Sequence, residues 1–218
     1  MENLKNNLSD TFFEAFRNGY SESDVRRKIN EILVSSKIDL NPFLEYLNEN
    51  AMTSEDFTFL GWFSRLRIDS EVFSFRQYEK AFHIDPHNIT SQFLLAYCTE
   101  FGKGTTKDPV HARELYEKFS SSGNHLCQYQ LAFHLMFNVK NAKFVQLKMS
   151  YLLKLAAMQG HLDAMLYLGN RYTNGIGLER DLHQSLYWFS KKFKIDKKVV
   201  NLRHDLEWFS SQVKKQTH

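Results

Sequence analysis

Nine histidines and two cysteines are the side chains of this sequence best suited to holding a metal, and the densest group is His125, Cys127 and His134. A closed tetrahedral site needs paired ligands at short spacing, and no HxxxH or CxxC accompanies them. Two glycine pairs, Gly102-Lys103-Gly104 and Gly175-Ile176-Gly177, could suggest a phosphate cradle. A dinucleotide fingerprint requires a preceding strand and a third glycine, and the sequence offers neither, so these pairs read as turns. Lys191, Lys192, Lys194, Lys197 and Lys198 form a basic cluster with Phe193 as its one aromatic. Nucleic-acid binding would interleave such charge with aromatics for stacking, so a solvated helix face is the better reading. No GxSxG or HExxH occurs. The expectation is no catalytic residue, no metal and no cofactor.

These residues sit in a chain of 218 residues that is 43% apolar and 24% charged, with 9 Gly and 3 Pro. That composition excludes collagen-like, low-complexity and wholly disordered readings. No apolar run of about 18 residues exists, so no membrane insertion is expected. The start, MENLKNNLSDTFF, lacks a basic region followed by an apolar one, and two cysteines make no disulfide framework. A cytoplasmic location and a monomer are expected. Charge is uneven: residues 1–109 carry 12 Lys/Arg against 17 Asp/Glu, and residues 110–218 carry 16 against 8. Such polarity steers association without naming what arrives.

The positioning elements come from a repeat. Leu95-Ala96, Leu131-Ala132 and Leu168-Gly169 recur, followed at one offset by Gly102, Asn138 and Gly175, then Leu115, Tyr151 and Trp188, then Lys118, Lys154 and Lys191. A weaker unit begins at Leu60-Gly61. Each unit reads as two helices with the glycine pair between them, and Asp108-Pro109 and Asp181 open the second helices. In this register Cys127 falls with Ser91 and Ala164 in a small-residue column, and His134 falls with Phe63, Cys98 and Arg171 on a helix face. Packing therefore outweighs metal binding for both.

Leu168-Gly169-x-x-Tyr172-x-x-Gly175-x-Gly177-Leu178-x-x-Asp181, then Ser185-x-x-Trp188-Phe189, resembles a Sel1-like repeat, a relative of the tetratricopeptide repeat. The 95–123 unit is similar through Leu95-Ala96, Gly102-x-Gly104, Asp108 and Ala112, whereas the 131–160 unit replaces the glycine pair with Asn138 and Lys140. The resemblance implies an all-α, right-handed α-solenoid of antiparallel helix pairs, about four repeats over 54–195. It also implies a non-catalytic scaffold with a protein or peptide partner. Some secreted relatives resemble penicillin-binding or β-lactam-hydrolysing proteins with one disulfide per repeat, a pattern Cys98 and Cys127 do not supply. A second reading is a regulatory helical segment related to a larger signalling enzyme, such as a kinase.

The flanks are read by pattern alone. Residues 1–50 form a helical extension, with an amphipathic helix from Ser21 to Ser35 through Val25, Ile29, Ile32 and Leu33, and a short helix from Asn41-Pro42 to about Asn50. Residues 197–218, through Val199, Leu202, Leu206, Phe209 and Val213, read as a capping helix. Two columns three apart in the first helices share a face: Phe59 and Trp62, Leu94 and Tyr97, Gln130 and Phe133, Tyr167 and Asn170, with Arg171 beside them. In the family resembled, first helices line the concave surface, so this stripe is the candidate partner-binding site. Arg65, Gln92, Glu100 and Gln128 lie around it. If residues 1–50 fold across the stripe, it is core instead, and the large aromatic area of Trp62 favours core for that residue.

Overall fold

A computed structural model describes residues 1–20, 22–65, 70–138 and 143–196. Among these residues the secondary structure is helical throughout: α1 Glu2–Arg17, α2 Glu22–Ser36, α3 Leu40–Asn50, α4 Ser54–Ser64, α5 Glu71–Ile84, α6 Ile89–Phe101, α7 Pro109–Ser121, α8 His125–Asn138, α9 Lys143–Met158, α10 Leu162–Asn174 and α11 Leu182–Asp196. The chain divides into two compact units, Met1–Leu131 and Ala132–His218. The expected capping helix over 197–218 lies outside the described residues.

In the first unit α4 packs on α5 and α6 on α7, while α1 pairs with α2, and both α1 and α3 reach α4. Apolar residues surround α4 on every side, as its sequence SEDFTFLGWFS dictates, and a helix apolar all round belongs in an interior. Phe57, Phe59, Leu60, Trp62 and Phe63 join Leu8, Phe12 and Phe16 of α1 and Val25, Ile29 and Leu33 of α2 in one core. At the start of α4 the Thr53 hydroxyl accepts from the Asp56 backbone N–H at 3.1 Å while the Asp56 carboxylate accepts from Thr53 N–H at 3.0 Å, a reciprocal cap.

At Gly61, Ala96 and Gly169 the small residue of the Leu-(Ala/Gly) step makes room for an aromatic of the following helix. A Cβ on Gly61 would lie 2.7 Å from Tyr78 Cε1, and one on Gly169 2.7 Å from Phe189 Cε1. Ala96 packs with Tyr116 in the same way. First helices are opened by a column the sequence reading missed. Asn88 Oδ1 accepts from Thr90 and Ser91 N–H at 3.0 and 3.1 Å, and Asn124 Oδ1 accepts from Leu126 and Cys127 N–H at 3.0 and 3.3 Å. His161 Nδ1 does the same for Ala164 N–H at 3.3 Å, so this histidine is a helix cap.

In the second unit α10 packs on both α9 and α11. One column of the repeat needs correction here. Trp188 is buried, but Tyr151, placed with it by sequence, is 61% exposed, and Leu152 takes the inward place. The buried residues Ala112, Tyr116 and Phe119 of α7 recur in α9 as Met149, Leu153 and Ala156, one position later than the first-helix offset implies.

Candidate functional site

The residues of the stripe divide by depth. Phe59, Trp62 and Leu94 are 1%, 0% and 3% exposed. Helix α1 covers the first two: the Phe12 ring centre lies 5.6 Å from that of Phe59 and 5.0 Å from that of Trp62, and Leu94 lies in the same core. In the first unit the chain itself fills this part of the expected groove, so an incoming partner does not reach these three side chains.

Polar ties hold α1 in place. Lys5 Nζ sits 2.6 Å from Asp56 Oδ1, with both side chains mostly shielded from water. Burial alone would raise the Asp56 pKa, but the Lys5 ammonium and the Thr53 donors outweigh it and hold the carboxyl below its ordinary value. At the other end His125 Nε2 lies 3.0 Å from the Arg17 carbonyl oxygen. Burial lowers the pKa of His125, with the carbonyls of Arg17 and Phe16 opposing the shift. The unfolded chain therefore binds the extra proton more readily, and the His125 contribution to stability is present above its unfolded pKa and is lost as pH falls below about 6.5. The melting temperature is expected to drop between pH 7.5 and 5.5, and more steeply than in His125→Gln, whose amide can still donate to Arg17. Equal drops in the two proteins would remove His125 from the account.

The polar residues around the stripe are largely used inside the fold. Arg65 meets Glu22 at 3.1 Å. Gln92 Nε2 donates to the Pro86 carbonyl at 2.7 Å and Gln92 Oε1 accepts from Asn124 Nδ2 at 2.8 Å. Gln128 Nε2 donates to Ser120 O at 3.2 Å, and Glu100 accepts from the Tyr116 hydroxyl at 2.9 Å. Arg171 is buried as well. Its guanidinium donates to Ser150 Oγ at 2.6 Å and to the backbone and side-chain oxygens of Gln146 at 2.9 and 2.7 Å, tying α10 to α9. Burial pulls its pKa below the usual guanidinium value. Bidentate geometry of this kind suits a structural clamp.

What remains accessible is Tyr97 in the first unit and, half-buried or exposed, Gln130, Phe133, Tyr167 and Asn170. Tyr97 is the centre of an aromatic ladder on α6, 6.0 Å from Phe93 and 4.8 Å from Phe101 by ring centres. Lys103 Nζ donates to the Tyr97 hydroxyl at 3.1 Å and lies 4.7 Å from the ring centre. Phe101 is 47% exposed. Cys98 and Cys127 are buried thiols, and burial pushes Cys98 up to about 12 and Cys127 well above its ordinary value. Neither is a nucleophile in this state. Among the described residues no group of three or more His, Cys, Asp or Glu is arranged to hold a metal. Among the described residues no helix is long and apolar enough to cross a membrane.

Residues 89–124, 151–161 and 162–191 match the family model of the Sel1 repeat, so the sequence carries that repeat in these segments. No curated protein matches the chain by sequence. Among solved structures, a Sel1 repeat protein from Oxalobacter formigenes aligns with 78% of this chain and 48% of its own at a TM-score of 0.60 and 20% identity. A protective antigen of uropathogenic Escherichia coli with an SLR fold aligns with 97% of this chain and 45% of its own, at a TM-score of 0.53 and 20% identity. The chain thus spans about half the length of these structures, and the likeness establishes an all-helical fold built of helix-pair repeats.

Proposed function

We propose that this carrier of Sel1 repeats is a non-catalytic adaptor that binds a protein or peptide on the accessible part of its first-helix faces, acting as a cytoplasmic monomer. The observation that carries the reading is the aromatic ladder of α6, where Phe101 is exposed and Tyr97 half-buried, with Lys103 beside them. Aromatic side chains with a polar tip are the usual anchors of protein recognition, because they bury much area while losing few rotamers. Two cysteines kept as buried thiols are in keeping with a reducing compartment. Gln130 is a further contact position of the first unit, and Phe133, Tyr167 and Asn170 are contact positions of the second.

Tyr97→Ala separates this reading from a packing role. Retention of a partner isolated with the intact chain is expected to fall at least about tenfold, the loss of one interface anchor, while the melting temperature moves little. A large drop in melting temperature with the partner retained would make Tyr97 core and the proposal wrong.

A further inference from the structure

Helix α9 is apolar on two opposite faces. Met149, Ser150, Leu152, Leu153, Ala156 and Ala157 are buried. On the far side Phe144, Leu147, Tyr151 and Met158 are 75%, 47%, 61% and 64% exposed. Their spacing of three, four and seven residues aligns them in a stripe about 21 Å long at 1.5 Å per residue, about one side chain wide. Lys148 borders one edge, Lys143 and Lys154 the other, and α9 contains no acidic residue. The outward face of α7 is different: it carries both signs of charge, with Arg113 paired to Glu117 at 3.3 Å and His111 beside Glu114 at 3.4 Å. Helix α7 therefore presents no such stripe.

We propose that the outer face of α9 is a docking seam for an amphipathic helix with acidic flanks, supplied by a partner protein. Apolar residues at three-four spacing are what a facing helix of the same spacing interdigitates with, and the residues bordering such a seam select the partner by charge. Three lysines and no carboxylate call for glutamate or aspartate opposite. A second copy of α9 would set the same three lysines against their equals, which costs pairing. Residues 197–218 of this chain carry five Lys/Arg against two Asp/Glu, so their charge is equally unsuited. A narrow stripe also suits a helix better than a lipid surface, which rewards a broad apolar face. This seam is independent of the first-helix surface argued above.

The test uses the full chain and two synthetic helical peptides of about three heptads, both with leucine at the seam positions, one flanked by glutamate and one by lysine. Fluorescence anisotropy of the labelled peptides should show the glutamate peptide binding at least about tenfold more tightly than the lysine peptide, and more weakly as salt rises. Tyr151→Glu, at an exposed position where folding is not at stake, should weaken the glutamate peptide by about tenfold or more. The pair Lys148→Glu and Lys154→Glu should invert the preference. Circular dichroism checks that each variant is folded. Equal binding of the two peptides, or none by either, overturns the proposal. So does a dimer in sedimentation that Tyr151→Glu dissolves, which would assign the seam to a second copy. Retention on phosphatidylserine vesicles without peptide binding, again lost in Tyr151→Glu, would assign it to a membrane and overturn it too.

Discussion

Trp62→Ala is expected to lower the stability of the folded chain by about 3–5 kcal/mol, the range for deleting a large aromatic from a core. The indole is completely buried in α4, and α4 has neighbours on all sides, so the surroundings have little freedom to collapse into the vacated volume. Among the described residues its Nε1 has no hydrogen-bond partner, so the loss is one of packing and not of a polar contact. Phe12→Ala removes the other half of the contact from α1. Urea unfolding of the two single variants and the double variant gives their coupling. A loss below about 1 kcal/mol for Trp62→Ala, the level of ordinary surface changes, would mean that α1 does not rest on this side chain.

Gly104→Ala carries the second large effect. Gly104 has φ +75, and a Cβ there would stand 2.0 Å from the Glu71 carbonyl oxygen at the head of α5. The left-handed backbone costs a non-glycine residue about 1–2 kcal/mol, and forcing apart a packed backbone adds about 1–3 kcal/mol. The sum is a destabilisation of about 2–5 kcal/mol. Gly123→Ala is the control, since Gly123 also has positive φ but its Cβ would meet nothing within 4 Å. It should show the conformational cost alone. Equal denaturation midpoints for the two variants would show that the loop carrying Gly104 is not pressed against α5. The same close approach recurs in the second unit, where a Cβ on Gly177 would lie 2.2 Å from the Gln146 carbonyl oxygen.

The helix pairs were legible because a repeat states its period several times over. Even the flanking α2 and α3 lie within two residues of their expected bounds, since Val25, Ile29 and Leu33 mark one face and Asp39 caps the next helix. The helix α1 was not singled out, although Leu8, Phe12, Ala15 and Phe16 have helical spacing. The stripe shows where a periodic pattern stops being informative. Register places Phe59, Trp62 and Leu94 on one face, but what covers that face depends on a segment some fifty residues upstream, and no local spacing encodes such a contact. Arg171 failed to announce itself for a related reason. Its partners, Ser150 and Gln146, belong to the preceding helix, and a charged residue in a column with Phe63, Cys98 and His134 looks like a surface contact until the acceptors are seen. The one-residue slip of α9 likewise hides inside an offset of 36 or 37, yet it turns Tyr151 outward and creates the seam.

The tie between Arg17 and His125 spans 108 residues of chain. During synthesis α1 leaves the ribosome before α4, which it covers, and well before α8, which anchors its far end. At about 5–20 residues per second, α1 waits several seconds or more with Leu8, Phe12 and Phe16 unburied. Its 16 residues are close to the length at which an isolated helix is only marginally stable in water, so the segment passes through that interval with its aromatic face exposed. Completion of the first unit then requires α4 beneath α1 and α8 at its far end.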